Sequence, residues 1–197
     1  MSSADICPDS PLPQIGDADI QQVLQEALSH LQDGRLPEAE CLYQQVLQRQ
    51  PDHPIALHVV GLLHYQAGHV QRAIALLERA ITVKPDFAEA YKNLANIYAE
   101  LEHWDNSSAK YRRAIELSPG LIEAQYNLGA LFQHQNRLED AKKHYQQALD
   151  CKPDFVEASN RLGEVLRLIA QVSPANREGL GLPAEAPLSQ QEQQAKD

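Results

Sequence analysis

The sequence predicts an all-α solenoid: four helix-turn-helix repeats followed by a capping helix. Pro51, Pro85, Pro119 and Pro153 stand 34 residues apart, each just after a helical pattern (CLYQQVLQRQPD, AIALLERAITVKPD, KYRRAIELSPG, KHYQQALDCKPD) that proline cannot continue. An alanine recurs at one fixed place after each of them, as Ala56, Ala90, Ala124 and Ala158. Composition agrees, since Ala, Leu, Gln and Glu dominate and aromatic residues are only 6 %, which suits helices packing on small faces rather than a sheet. A chain of 197 residues with 43 % hydrophobic content is long enough to bury a real core.

With the recurring proline numbered as position 32, the repeats are residues 20–53, 54–87, 88–121 and 122–155, and residues 156–171 form the capping helix. Position 8 is always small: Ala27, Gly61, Ala95, Gly129 and Gly163. Position 20 is Ala39, Ala73, Ser107 and Ala141, and position 27 is Val46, Ala80, Ala114 and Ala148. Small residues at these spacings let paired antiparallel helices approach closely, and larger residues such as Leu94, Tyr98 and Tyr111 fill what remains.

The helix ends follow from local chemistry. Pro54 suits a first helical position, and Asp86 with Glu89, like Asp154 with Glu157, reads as a capping box starting helices at Ala88 and Val156. Gly34 and Gly68 fall in the turn between paired helices, where a left-handed residue is needed, and Asn136 can take that role in the fourth repeat. The third repeat has Glu102-His103 there and is the least regular. Ser173-Pro174 ends the capping helix, leaving Val165, Leu168 and Ile169 as expected exposed apolar positions unless Leu180, Leu182 and Pro183 fold over them. Residues 1–17 and 172–197, tails rich in polar residues and proline, are expected to be disordered.

In the fourth repeat Leu128, Gly129, Phe132, Ala141, Tyr145 and Pro153 all fall in register, with Gln125 in place of a first bulky residue. This resembles the tetratricopeptide repeat family, whose pattern is a bulky residue, Leu-Gly, an aromatic, Ala, an aromatic and Pro. The resemblance implies a right-handed superhelix whose first helices line a concave groove, with positions 2, 5, 6 and 9 pointing into it. Those positions make the N-terminal part apolar (Ile55, Val59, Leu62) and the C-terminal part polar (Lys92, Asn93, Asn96, Tyr126, Asn127, Asn160, Arg161). Side-chain amides such as Asn93 and Asn127 can pair with the N–H and C=O of an extended backbone. This is similar to the asparagine ladder in the repeats of O-linked N-acetylglucosamine transferases. A second resemblance is to co-chaperones that clamp two carboxylates with Lys and Asn at positions 5 and 9, Asn at 6 of the next repeat, then Lys and Arg at 2 and 6. Lys92, Asn96, Asn127 and Arg161 match four of the five, but Glu157 stands at the last Lys position, where a carboxylate repels a carboxylate.

The expected function is therefore an interaction scaffold for a protein or peptide partner, which it holds as a peptide or helix in its concave groove. The alternative is a substrate-recruiting module of, or partner to, a glycosyltransferase. Self-association into a homo-oligomer, through Ile55, Val59 and Leu62 or through the last helix, is a further expectation.

Other chemistries lack their residues. The formal charge of −10 divides as four acids and no base over residues 1–19, 15 bases against 19 acids over residues 20–171, and two against four beyond. No Lys/Arg stripe offsets this, so nucleic acid is not an expected partner, and Lys110, Arg112 and Arg113 read as a solvated helix face beside Glu116. Cys7, Cys41 and Cys151 lack metal-ligand or disulfide spacing, and His30 and His64 sit where a core aromatic belongs, so no metal is expected. Trp104 reads as a packing residue between repeats. No run of apolar residues is long enough to span a bilayer and the N-terminus lacks a signal-peptide pattern, so membrane insertion is not expected and a cytoplasmic location is. There is no phosphate loop, activated nucleophile or acid pair in a cleft, so neither catalysis nor a cofactor is expected.

Overall fold

The computed structural model describes residues 19–171. Residues 1–17 and 172–197, expected to be disordered, lie outside the described residues, as do Leu180, Leu182 and Pro183. The described residues form the all-α helix-turn-helix repeat fold. In chain order the helices are α1 (Ile20–Gln32), α2 (Leu36–Arg49), α3 (Pro54–Gln66), α4 (Val70–Val83), α5 (Ala88–Glu100), α6 (Trp104–Leu117), α7 (Ile122–His134), α8 (Leu138–Cys151) and α9 (Val156–Gln171). The first helix of each pair thus recurs every 34 residues, and α9 repeats the start of the pattern once more.

The described residues fall into two compact units that divide inside α7, between Leu128 and Gly129. In the first unit one core cluster joins Ile20, Val23 and Ala27 of α1 to Tyr43 and Val46 of α2 and to Ala56 and Val60 of α3. A second joins Ala73, Leu77 and Ile81 of α4 to Ala90, Leu94, Ile97 and Tyr98 of α5. Ala39, Ala73 and Ser107, all at position 20, are fully buried, and the extra hydroxyl of Ser107 is satisfied by donating to the Ala95 carbonyl at 2.9 Å, as a buried polar group must be.

The second unit packs α8 and α9 with the last turns of α7. Phe132, Ala141, Tyr145, Ala148, Ala158 and Val165 are buried there. Gly129 is small for a measurable reason, because a Cβ on it would stand 2.9 Å from two carbons of the Tyr145 ring. The ring is held in place by its hydroxyl, which donates to Gln133 Oε1 at 2.8 Å. Val165, expected to be exposed, is instead fully buried. It lies seven residues, two helical turns, beyond buried Ala158 and shares its inward stripe, while Leu166, one position round the helix, is 45 % exposed.

All four turns inside the pairs use one device. Gly34, Gly68, Glu102 and Asn136 have φ of 74°, 80°, 59° and 58°. The residue after each donates back to the carbonyl five residues earlier, Arg35 to His30, His69 to His64, His103 to Tyr98 and Arg137 to Phe132, each at 2.8 Å. This is the Schellman arrangement that satisfies carbonyls at a helix end. The capping box expected at α5 does not form. Its cap position is Phe87, which has no side-chain oxygen to offer, and Glu89 turns along the helix to Lys92 Nζ at 2.7 Å. The cap of α3 comes instead from His53, whose Nδ1 accepts from the Ala56 N–H at 3.3 Å.

Candidate peptide-binding groove

Within the first unit, side chains of successive first helices meet. Between α3 and α5, Asn93 Nδ2 donates to His58 Nε2 at 2.8 Å, and the Tyr65 hydroxyl donates to Glu100. Between α5 and α7, Asn127 Nδ2 donates to Asn96 Oδ1 at 3.0 Å, an oxygen that also accepts from Tyr111 at 2.5 Å. Lys92 Nζ reaches across the same pair of helices to Glu123 Oε2 at 2.6 Å while also contacting Glu89. These contacts recur because residues 31 to 35 apart occupy equivalent places on neighbouring repeats.

The structure thus brings Lys92, Asn93, Asn96 and Asn127 onto one face with half-buried Tyr126. The asparagines are not idle. Asn93 Nδ2 is engaged by His58 and Asn127 Nδ2 by Asn96, which sets the orientation of both amides. Asn160 and Arg161 belong to α9, in the other unit, and both are exposed. Arg161 Nη1 lies 3.3 Å from Glu164 Oε2, an oxygen that also accepts from Gln133.

His58 carries the clearest electrostatic signature. Burial pushes its pKa down to about 4, with Glu89 raising it and Lys92 lowering it as smaller effects. The ring is neutral at pH 7, and its Nε2 serves as the acceptor for Asn93 with the Phe87 ring centred 4.8 Å away. For Lys92, burial works against the ammonium, but the bonds to Glu123 and Glu89 outweigh it and the pKa is raised. Lys92 is therefore a cation already held between two carboxylates, its side chain 12 % exposed. That geometry counts against a carboxylate clamp built on Lys92.

The apolar part is wider than the three residues expected. Ile55 is 45 % exposed and Val59 and Leu62 are half-buried, while Leu28 on α1 is 49 % exposed and half-buried Leu24 packs on the same core cluster as Val59. Leu24 and Leu28 stand at positions 5 and 9 of the first repeat, so reading the register one repeat earlier would have found them. Among the described residues no group of three or more His, Cys, Asp or Glu is placed to hold a metal ion. None of the described helices is long and apolar enough to cross a membrane.

Paired helices at a 34-residue period, with amide side chains bridging from one first helix to the next, define a helical-repeat protein. Tetratricopeptide repeat models match residues 24–81 and 86–154, and a further TPR repeat model matches residues 61–102. Residues 24 to 154 are a run of tetratricopeptide repeats. Among solved structures the chain is similar to "Crystal structure of MamA", at 24 % identity over 87 % of this chain and 97 % of that one with a TM-score of 0.64. It is similar to "MamA 41-end from Desulfovibrio magneticus RS-1" at 18 % identity over 84 % and 90 %, TM-score 0.67. A third is "First TPR of Spaghetti (RPAP3) bound to HSP90 peptide SRMEEVD", at 24 % identity over 59 % of this chain and 93 % of that one, TM-score 0.57. No curated protein sequence matches the chain.

Proposed function

We propose that this chain is a non-catalytic scaffold that holds an extended segment of a partner protein along the first helices of residues 20–128. The observation that carries this reading is the ladder of Asn93, Asn96 and Asn127, whose amides are braced by neighbours yet stand half-buried at the surface. Braced amides bind a backbone with little further ordering cost. The solved neighbour bound to the peptide SRMEEVD supports a peptide as the kind of occupant such repeats take. Replacing Asn93 and Asn127 together by Ala should lower partner capture about tenfold or more, the loss of one to two hydrogen bonds, while the helical circular dichroism spectrum is retained. Undiminished capture by a folded double variant would overturn the proposal.

A second reading makes the same ladder the substrate-recruiting part of a glycosyltransferase system, because the Asn93 and Asn127 arrangement resembles that of transferase repeats. Co-purification of glycosyltransferase activity with the chain from its native lysate supports it. Its absence there removes it.

A further inference from the structure

The charges on the groove decide what kind of segment fits it. At positions 2, 5, 6 and 9 of the first helices within residues 20–128, the charged groups are Glu89, Lys92 and Glu123, and His58 is neutral. Lys92 is shielded and doubly paired, whereas Glu89 and Glu123 are 49 % and 68 % exposed. Glu100, also exposed, adds a third carboxylate beside Tyr65. Three carboxylates against one ammonium leave this face with a net charge of −2. On the α1 and α3 side the same face presents exposed Leu28 and Ile55.

From this juxtaposition we infer that the groove's occupant is a basic segment, carrying Lys or Arg against Glu89, Glu123 and Glu100 and apolar side chains against Leu28 and Ile55. The inference rests on the groove reading and adds the partner's charge. A carboxylate-rich or carboxylate-terminated peptide meets a rim with more carboxylates than cations, and the one ammonium it would need is already held by two of them. A guanidinium or ammonium meets two exposed carboxylates that share a single ammonium, Lys92, and so adds positive charge where one negative charge is left over.

Fluorescence anisotropy on the full chain tests it, with labelled ten-residue peptides of equal leucine content that differ only in bearing three Arg or three Glu. The Arg peptide should bind about tenfold tighter or more at low salt, and the margin should shrink as salt screens the carboxylates. The decisive variant is Lys92→Gln. It removes the competing cation and should strengthen Arg-peptide binding by about threefold or more, whereas a carboxylate clamp requires it to weaken binding. Glu123→Gln, at an exposed position, should weaken the Arg peptide by a comparable factor and serves if Lys92→Gln does not fold. Tighter binding of the Glu peptide, or weaker Arg-peptide binding by Lys92→Gln, overturns the inference alone. Equal binding of both peptides that still depends on Asn93 and Asn127 does the same, and failure of both peptides to bind removes the groove reading with it.

Discussion

Glu102 sits at φ 59°, a backbone conformation that its side chain makes unfavourable and that glycine adopts freely. In the two preceding turns the equivalent residue is glycine, with φ 74° at Gly34 and 80° at Gly68, and a Cβ there would meet nothing within 4 Å. Strain and not collision therefore separates the residue types. Glu102→Gly should stabilise the protein by about 0.5–1 kcal/mol and Gly68→Ala destabilise it by about 1 kcal/mol, both read as shifts of the urea midpoint at constant slope. Asn136→Gly should gain less than Glu102→Gly, because asparagine tolerates this region better. The glycine turns were legible in the sequence because glycine advertises its use. The Glu102 turn was placed by register but its conformation was not, since nothing in a glutamate side chain signals a left-handed backbone.

Between elements, one repeat position gives opposite outcomes in two helices. Position 8 is Gly129 in α7 and Gly163 in α9. A Cβ at Gly129 runs into the buried Tyr145 ring of α8, while at Gly163 it meets nothing within 4 Å. Gly129→Ala should cost about 1–2 kcal/mol, the overpacking penalty less the gain in helix propensity. Gly163→Ala keeps only that gain and should stabilise by up to about 1 kcal/mol. Thermal unfolding of the two variants, followed by circular dichroism, should shift in opposite directions, and stabilisation by both would show that propensity alone governs the two sites. Helix starts were legible because proline and small residues repeat at a fixed spacing. The α5 cap was not, because the capping-box pattern gives composition without saying whether Glu89 turns back to the cap or forward to Lys92. Val165 was missed for a similar reason: its neighbours Leu162, Leu166 and Ile169 are also apolar, and composition alone leaves the buried stripe of α9 undefined.

For the molecule as a whole, residue identity marked the candidate face, but its electrostatics came from pairings about one repeat apart in sequence, Lys92 with Glu123 and Asn93 with His58. A reading by position counts Lys92 as an available cation, and only the fold shows it spoken for. The same pairings predict how stability responds to acid. His58 is held neutral with a pKa near 4, against 6.5 for an exposed imidazole, and burial also lowers His53 and His64. Between pH 6.5 and 4 the unfolded chain therefore binds more protons at these groups than the folded one. Stability contributed by their neutral forms is fully present above pH 6.5 and is lost as pH falls toward 4. For His58 the loss is at most about 3 kcal/mol, and it is expected on top of any loss from carboxylates at lower pH. Urea unfolding at a series of pH values should show the midpoint falling across this window. His58→Gln retains an acceptor for Asn93 without a titrating ring, and should flatten the curve between pH 6.5 and 4. A curve of unchanged steepness in that variant would place the acid sensitivity elsewhere than the clasp between α3 and α5.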